Sequence, residues 1–182
     1  MENVNSSKAS QQLLGSGEVK RILVEQLAML RKFAWSLTGD KADADDLVQA
    51  LAEKVLLKGL PAQVNPAPWL LKMCKNLWID EIRARKVRRT DLNENRTETI
   101  AFDGEAKMIN QLSKEQVMSA MAGLSDSHRS VLALVTQGGL SYVEAAELEG
   151  VPVGTIMSRI ARARQNLSSI LNTGSAEGQS DA

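Results

Sequence analysis

The sequence predicts an all-α protein, and three observations carry that reading. Apolar residues recur at helical spacing along most of the chain, while strand-type alternation is nearly absent. Aromatic residues make up 3% of a chain that is 43% apolar, so Leu, Ala, Met and Val must fill the core. Glycines and prolines fall at breaks between the periodic stretches. A chain of 182 residues is long enough for one domain or two small ones.

Residues 1–17 are polar, and a disordered tail is predicted there. The first helix runs from about Glu18 to Leu37. Its stripe is Val19, Ile22, Leu23, Gln26, Leu30, Phe33, Ala34 and Leu37, with Gln26 the one polar member. Gly39 ends it, and Asp40 can cap the next helix. The second helix lies in "DADDLVQALAEKVLLKG". It turns Ala44, Leu47, Val48, Leu51, Val55 and Leu56 to a core and leaves Asp43, Asp45, Asp46, Gln49 and Glu53 outside. Acids in a first turn favour the helix dipole, a sufficient structural reason for some of them. Gly59 ends the helix, and "LPAQVNPAP", with three prolines, reads as a loop. The third helix begins near Trp69 and ends near Thr90. It buries Leu70, Met73, Cys74 and Leu77 and gathers Lys72, Lys75, Asn76, Arg83 and Lys86 opposite.

Residues 91–113 are polar and acidic with weak periodicity, and read as a flexible linker. A second helical unit starts near Lys114. Val117, Met121 and Leu124 begin its core. Ser125 caps the next helix, which turns Val131, Leu132 and Val135 inward, and Gly138 and Gly139 end it. The stretch "LSYVEAAELEGVPVGTIMSRIARAR", residues 140–164, then holds a helical hairpin. Ser141 and Glu144 are spaced as a capping box. Gly150 supplies the turn, and Pro152 suits the start of a further helix. That helix has an apolar stripe of Ile156, Ile160, Ala163, Leu167 and Ile170, and no acid from Val153 to Leu171. Thr155, Ser158, Arg159, Arg162 and Gln165 lie opposite. A short turn between two helices, the second one basic, describes a helix-turn-helix. It equally describes a helical hairpin with a solvated basic face. The predicted organisation is thus residues 18–90 and 114–171 as two helical units, joined by 91–113 and followed by a disordered tail, 172–182.

The charge balance is uneven. Lys and Arg number 22, as do Asp and Glu, which argues against a protein that coats nucleic acid non-specifically. Yet Asp80 to Thr90 holds five bases (Arg83, Arg85, Lys86, Arg88, Arg89) against two acids, and Asp91 to Glu115 six acids against three bases. One cysteine and one histidine can build neither an internal disulfide nor a zinc site. Cys74 reads as core and His128 as surface. There is no nucleophile–base pair and no phosphate-binding glycine loop, so neither catalysis nor a cofactor or metal is expected. No signal-peptide-like run and no stretch of about 18 apolar residues occurs, and a reducing cytoplasm is the expected location.

Two helical units, an acidic linker, a basic third helix and a helix-turn-helix together resemble the sigma-70 family of bacterial transcription initiation factors, specifically its extracytoplasmic-function (ECF) group. "AWSLTGDKADADDLVQ" looks like the start of region 2 and "APWLLKMCKNLWIDEIRARKVRR" like its end. "GLSDSHRSVLALVTQGGLSYVEAAELEGVPVGTIMSRIARARQNL" looks like region 4. The resemblance covers roughly Leu23 to Leu171 and implies a factor that binds core RNA polymerase, through the β′ clamp helices and the β subunit, and directs it to promoter DNA. By position it assigns polymerase docking to Asp43, Asp45, Asp46, Leu47, Gln49 and Glu53. It assigns capture of the −10 element to Asn65, Trp69, Lys72, Lys75, Asn76, Arg83, Lys86, Arg88 and Arg89, where unpaired bases and a displaced strand must be held. Core packing is the competing role for Trp69, as for Trp78. The −35 element falls to Thr155, Ser158, Arg159 and Arg162, with Arg164 and Gln165 nearer the backbone. An anti-sigma factor that clamps both domains is a further implied partner. Two departures stand out. Met157 replaces a lysine common in relatives, and "ALAEKVLLKG" lacks the aromatics common at that place in region 2. A polymerase-independent DNA-binding regulator, or a sigma-fold module that has lost promoter opening, are the rival readings.

Overall fold

A computed structural model describes residues 12–91 and 114–176, with side chains for 12–88 and 116–171. The expected linker and the outermost ends of both tails lie outside the described residues. Among those described there are seven helices and no strand: α1 (Ser16–Thr38), α2 (Lys41–Lys58), α3 (Pro66–Asp91), α4 (Lys114–Ala122), α5 (Asp126–Thr136), α6 (Tyr142–Glu149) and α7 (Val153–Ala176). The all-α expectation holds. Helices α1, α2 and α3 pack on one another, and α4 to α7 form a second group around the hairpin of α6 and α7.

The local signals explain most boundaries. Gly39 takes a left-handed conformation, φ 78°, and its N–H closes α1 on the Trp35 carbonyl. The Asp40 side chain accepts from the Asp43 N–H at 2.9 Å and starts α2. The capping box is complete: Glu144 N–H donates to Ser141 Oγ at 3.2 Å, and Ser141 N–H donates back to Glu144 Oε2 at 2.8 Å. Ser141 Oγ also donates to Glu144 Oε2, at 2.7 Å, and the two Ser141 donors, side chain first and backbone second, hold the exposed Glu144 carboxyl below its ordinary range. Gly150, φ 67°, ends α6. Ser125 stands at the N-cap of α5, but its side chain makes no capping bond there.

Several boundaries differ from the sequence reading for physical reasons. The tail expected through residue 17 is ordered from residue 12. Leu14 N–H donates to the Leu60 carbonyl at 2.9 Å, Ala62 N–H to that of Gln12 at 2.8 Å, and α1 starts at Ser16. At the other end, the tail expected from 172 is helical as far as Ala176. Helix α3 begins three residues before Trp69, at Pro66. Proline is welcome at a first helical position, whose N–H needs no partner. The Asn65 side chain accepts from Ala67 N–H at 3.4 Å just ahead of it. Leu56, expected in the core, is exposed, because α2 outruns the surface it covers near Val55. His128, expected at the surface, is half-buried, with Nδ1 enclosed and unbonded.

The two groups share one hydrophobic cluster. It joins Leu30, Phe33, Leu37, Leu70 and Leu71 of the first with Met121, Leu124, Leu134, Ile156 and Ile160 of the second. Close packing fixes their contact at two glycines. A Cβ on Gly39 would stand 2.5 Å from the Ala122 Cβ, and one on Gly138 would stand 2.8 Å from Leu71 Cδ1. Arg129 of α5 ties the groups together. Its guanidinium donates to the Leu37 carbonyl at 2.7 Å, to Leu124 at 2.8 Å and to Ala122, and it stacks 5.5 Å from the Trp78 ring centroid. Burial pushes its pKa down, partly opposed by Asp126.

Candidate functional site

Three surfaces carry the residues singled out by sequence. On α2 the buried stripe of Ala44, Leu47, Val48, Leu51 and Val55 leaves an acidic outer face. The inner part of that face is engaged. Arg85 donates to both Asp43 oxygens at 3.2 and 3.3 Å, and Arg31 Nε to Asp45 at 3.0 Å. Asp46, Gln49 and Glu53 are exposed and make no side-chain bond among the described residues. Leu57, one turn beyond Glu53 on the same face, is 86% exposed. The sequence reading passed over it because it sits outside the apolar stripe. Leu47 is buried and supports the face from beneath. A cleft of about 650 Å³ runs between α2 and α3, floored by Leu47, Ala50, Leu77 and Ile82 and rimmed by Asp43, Asp46, Asp80 and Glu81.

On α3, Lys72, Asn76 and Arg83 follow one another at helical spacing and form an exposed stripe, with Asn65 in line ahead of it. Trp69 is half-buried and packs on the core, and Trp78 is buried. Lys86 is exposed beside the stripe. Arg85 and Arg88 turn to another face, where both donate to Glu81 Oε1, at 2.8 and 3.0 Å. The Arg85 bond holds the Glu81 carboxyl below its usual range, and the bonds to Asp43 and Glu81 hold Arg85 firmly charged. The Arg89 side chain lies outside the described residues. Lys75 departs most from the expectation of a free cation. It is 8% exposed and donates to Glu149 Oε1 at 2.7 Å, across the junction of the two groups. Cys74 beside it is fully buried, and burial pushes its thiol up to about 12, so it is an inert core group.

On α7, Ile156, Ile160 and Ala163 are buried. Gly154, Ser158, Ala161, Arg162 and Gln165 are exposed on the opposite side. Thr155 and Arg159 lie half-buried on one flank, and Met157 and Arg164 are exposed on the other. No acid shares this face, and Arg159, Arg162 and Arg164 make no side-chain bond among the described residues. Of the residues expected to face a groove, Ser158 and Arg162 are therefore the best presented, and Gln165, expected nearer the backbone, stands with them. Sequence reasoning missed Glu149, whose partner lies in the other group, and Arg129, which reaches Leu37 and Trp78 there. No local pattern marks a bond between residues 74 apart.

Among the described residues no group of three or more His, Cys, Asp and Glu is placed to hold a metal ion. No helix is long and apolar enough to cross a membrane.

Comparison with known proteins matches this layout. Residues 23–88 match sigma-70 region 2, and residues 107–167 match sigma-70 region 4. The ECF RNA polymerase sigma factor EcfG of Rhodopseudomonas palustris is 34% identical over 150 residues, covering 81% of this chain and 82% of the relative. The ECF sigma factor SigC of Mycobacterium tuberculosis is 34% identical over 131 residues, 70% of each chain. Among solved structures, the sigma factor RpoE of Bartonella quintana, in complex with the anti-sigma factor NepR, superposes with a TM-score of 0.71. It is 30% identical, over 85% of this chain and 97% of that one. CnrH, in complex with the cytosolic domain of CnrY, shares the fold with a TM-score of 0.60 at 23% identity, over 87% and 90%. An acidic helix, a basic helix and a helix-turn-helix in this order, each within a matched region, leave one assignment: the chain belongs to the sigma-70 family of RNA polymerase sigma factors, in its ECF group.

Proposed function

We propose that this sigma factor docks on core RNA polymerase through α2, captures the −10 element with α3 and reads the −35 element with α7. The observation that carries the reading is the outer face of α7. Ser158, Arg162 and Gln165 stand opposite the buried stripe of the second helix of a helix-turn-helix, free of acids. Such a helix enters the major groove with its N-terminal turns against base edges. Arg162 can bridge guanine O6 and N7, and Ser158 can serve a base or a phosphate. Arg159, Arg164 and Thr155, on the flanks, are placed for backbone phosphates.

The −10 assignment rests on the stripe Lys72, Asn76 and Arg83, a run of donors and cations suited to a displaced strand, with Lys86 beside it and Arg89 in the sequence beyond. Asn65 caps α3 through its side chain and keeps its amide N–H groups for a base. Trp69 presents only part of its ring and serves packing first. Arg88, turned to Glu81, contributes less than its position in sequence implies. Docking on the β′ clamp falls to Asp46, Gln49 and Glu53, the acids Asp43 and Asp45 being partly neutralised by Arg85 and Arg31. In this reading residues 18–90 and 114–171 are two promoter-reading modules with 91–113 between them. The factor works in the cytoplasm and performs no catalysis, since bond making belongs to the polymerase. An anti-sigma factor regulates it, as the complex of the Bartonella relative supports.

The test is transcription in vitro with purified chain, bacterial core polymerase and a promoter library randomised at −35 and −10. Transcripts that require the chain, with sequence preferences at both elements, are expected. Binding to DNA by gel shift without any transcript would instead make it a polymerase-independent regulator.

A further inference from the structure

Helix α7 carries a second exposed row beside its polar one. Gly154, Ser158, Arg162 and Gln165 form the polar row, opposite the buried stripe. Val153, Met157 and Ala161 follow one another four residues apart along its flank, all exposed, and Arg164 ends that row. Met157 is 55% exposed and Val153 37%. Single apolar residues at a surface need no explanation. Here three line up on a helix that holds no acid from Val153 to Leu171. Gly154 adjoins Met157. Beyond its own backbone neighbours, no heavy atom stands within 4 Å of the place of its Cβ, so the fold has room for a larger residue there. A glycine lets the first turn come closer to whatever it faces.

We propose that this row reads a base: Met157, with Val153 and Ala161 beside it, packs against the C5 methyl group of a thymine in the −35 duplex. The proposal rests on the reading of α7 as the −35 helix and adds a base preference to it. Thymine is the one base that presents a methyl group in the major groove. A methionine brings no hydrogen-bond donor and no charge, and its flexible thioether chain fits itself against an apolar group. Helical side chains lean toward the N-terminus, so Met157 covers the first turn, the part of a recognition helix nearest the base edges. Charge complementarity selects the occupant. The row lies beside Arg162 and ends in Arg164, with no acid near it in the helix, a setting that draws a polyanion rather than an apolar peptide. The two rows then divide the reading. Ser158 and Arg162 answer polar groups, and Met157 answers a methyl group.

Deoxyuridine differs from thymidine by that methyl group alone, and 5-methylcytosine adds it to cytosine, so DNA can be changed by the single group at issue. Wild type and Met157→Lys, each as holoenzyme with core polymerase, first select from promoters randomised at −35. Wild type is expected to prefer a thymine at one position where the variant does not. Deoxyuridine at that position should weaken binding of the wild-type holoenzyme by about fourfold, the worth of one buried methyl group. A 5-methylcytosine there should bind more tightly than cytosine by a similar factor. Met157→Leu should keep the sensitivity to the methyl group. Met157→Lys should lose it and steepen the salt dependence by about 0.9 in log–log slope, the share of one added phosphate contact. The same −35 preference in wild type and Met157→Lys would overturn the proposal, as would equal binding of thymine and deoxyuridine by wild type at every selected position. A Met157→Lys chain that binds core polymerase more weakly in the absence of DNA would also overturn it, and would make the row a protein contact. A wild-type chain that selects no −35 sequence at all would sink the reading of α7 itself, and the methyl contact with it.

Discussion

The two basic helices α3 and α7 invite comparison, because each carries a row of cations and they treat them in opposite ways. The cations of α3 are largely answered within the protein: Lys75 by Glu149, Arg83 by Asp80 at 3.9 Å, Arg85 by Asp43 and Glu81, Arg88 by Glu81. Those of α7 are not answered by any acid among the described residues. A cation with a carboxylate partner is positioned and half-neutralised. One without a partner keeps its full field for a polyanion. We read α7 as a helix whose cations stay open to duplex DNA and α3 as one where several cations also serve the fold. The difference separates changes that should act on stability from changes that should act on binding.

The largest effect is expected at Arg129, which secures α3 from the far side through Trp78 while donating to three backbone carbonyls. Arg129→Met keeps much of the volume and leaves those carbonyls unanswered at a half-buried junction. The loss should be about 3–5 kcal/mol, since each enclosed, unsatisfied polar group costs roughly 1–3 kcal/mol. For a chain of this size that is a fall of roughly 6–20 °C in Tm by calorimetry. A fall of only a degree or two would mean that the apolar cluster alone holds the junction. Next is Arg162→Ala on α7. With no internal partner to lose, it should leave stability within about 0.5 kcal/mol of wild type. It should cost about 1–3 kcal/mol in promoter binding by the holoenzyme and relax the preference at one −35 position. Equal losses in stability and binding would erase the contrast between the helices.

The same contrast shows what the sequence makes legible. The stripes of α1, α2 and α7, the capping box at Ser141 and the left-handed turn at Gly150 are local, and spacing of three and four residues exposes them. So is the acid-free outer face of α7. Pro66 misled because a proline-rich segment reads as a loop, although one proline at a first helical position extends a helix. Leu56 misled because periodicity says which side faces inward and not where the covering surface stops. Lys75 misled for a deeper reason. Its place beside Lys72 and Asn76 is local, but its partner lies 74 residues away on a group whose docking no spacing reveals. For the same reason no spacing marks Arg129, whose contacts with Leu37 and Trp78 cross to the other group.

A smaller effect distinguishes two cations of α3 itself. Lys72 is exposed with no ion-pair partner among the described residues, whereas Arg85 is shared between Asp43 and Glu81. Lys72→Ala should leave Tm unchanged, weaken −10 capture across sequences and reduce the salt dependence of binding by about 0.7 in log–log slope, the share of one contact to a single strand. Arg85→Ala should do the reverse. It should cost about 0.2–1 kcal/mol of stability, as expected for partly exposed ion pairs, and leave the salt slope alone. Titration of holoenzyme binding at several salt concentrations checks both. A slope change in Arg85→Ala would place that guanidinium on DNA and not on the acids of α2.

The smallest effect lies in pH. Glu81 is held below its ordinary carboxyl range, chiefly by the bond from Arg85 and further by the charges of Arg85 and Arg88. A folded-state value below the unfolded one makes the ionised form the stabilising form. The contribution is therefore complete above the ordinary value of 4.5 and is lost as pH falls through the lower folded value. Exposure keeps it small. In Arg85→Ala the main cause of the shift is gone, so the variant's deficit relative to wild type should be constant from neutral pH down to about pH 5 and should narrow below that. Melting temperatures of both proteins across pH 3–7 decide it. A deficit that persists unchanged at pH 3 would mean that Arg85 stabilises by packing its stem against α2, with the carboxylates as bystanders. The region-2 face would then resemble α7 more than the ion pairs imply, its guanidinium free for a partner.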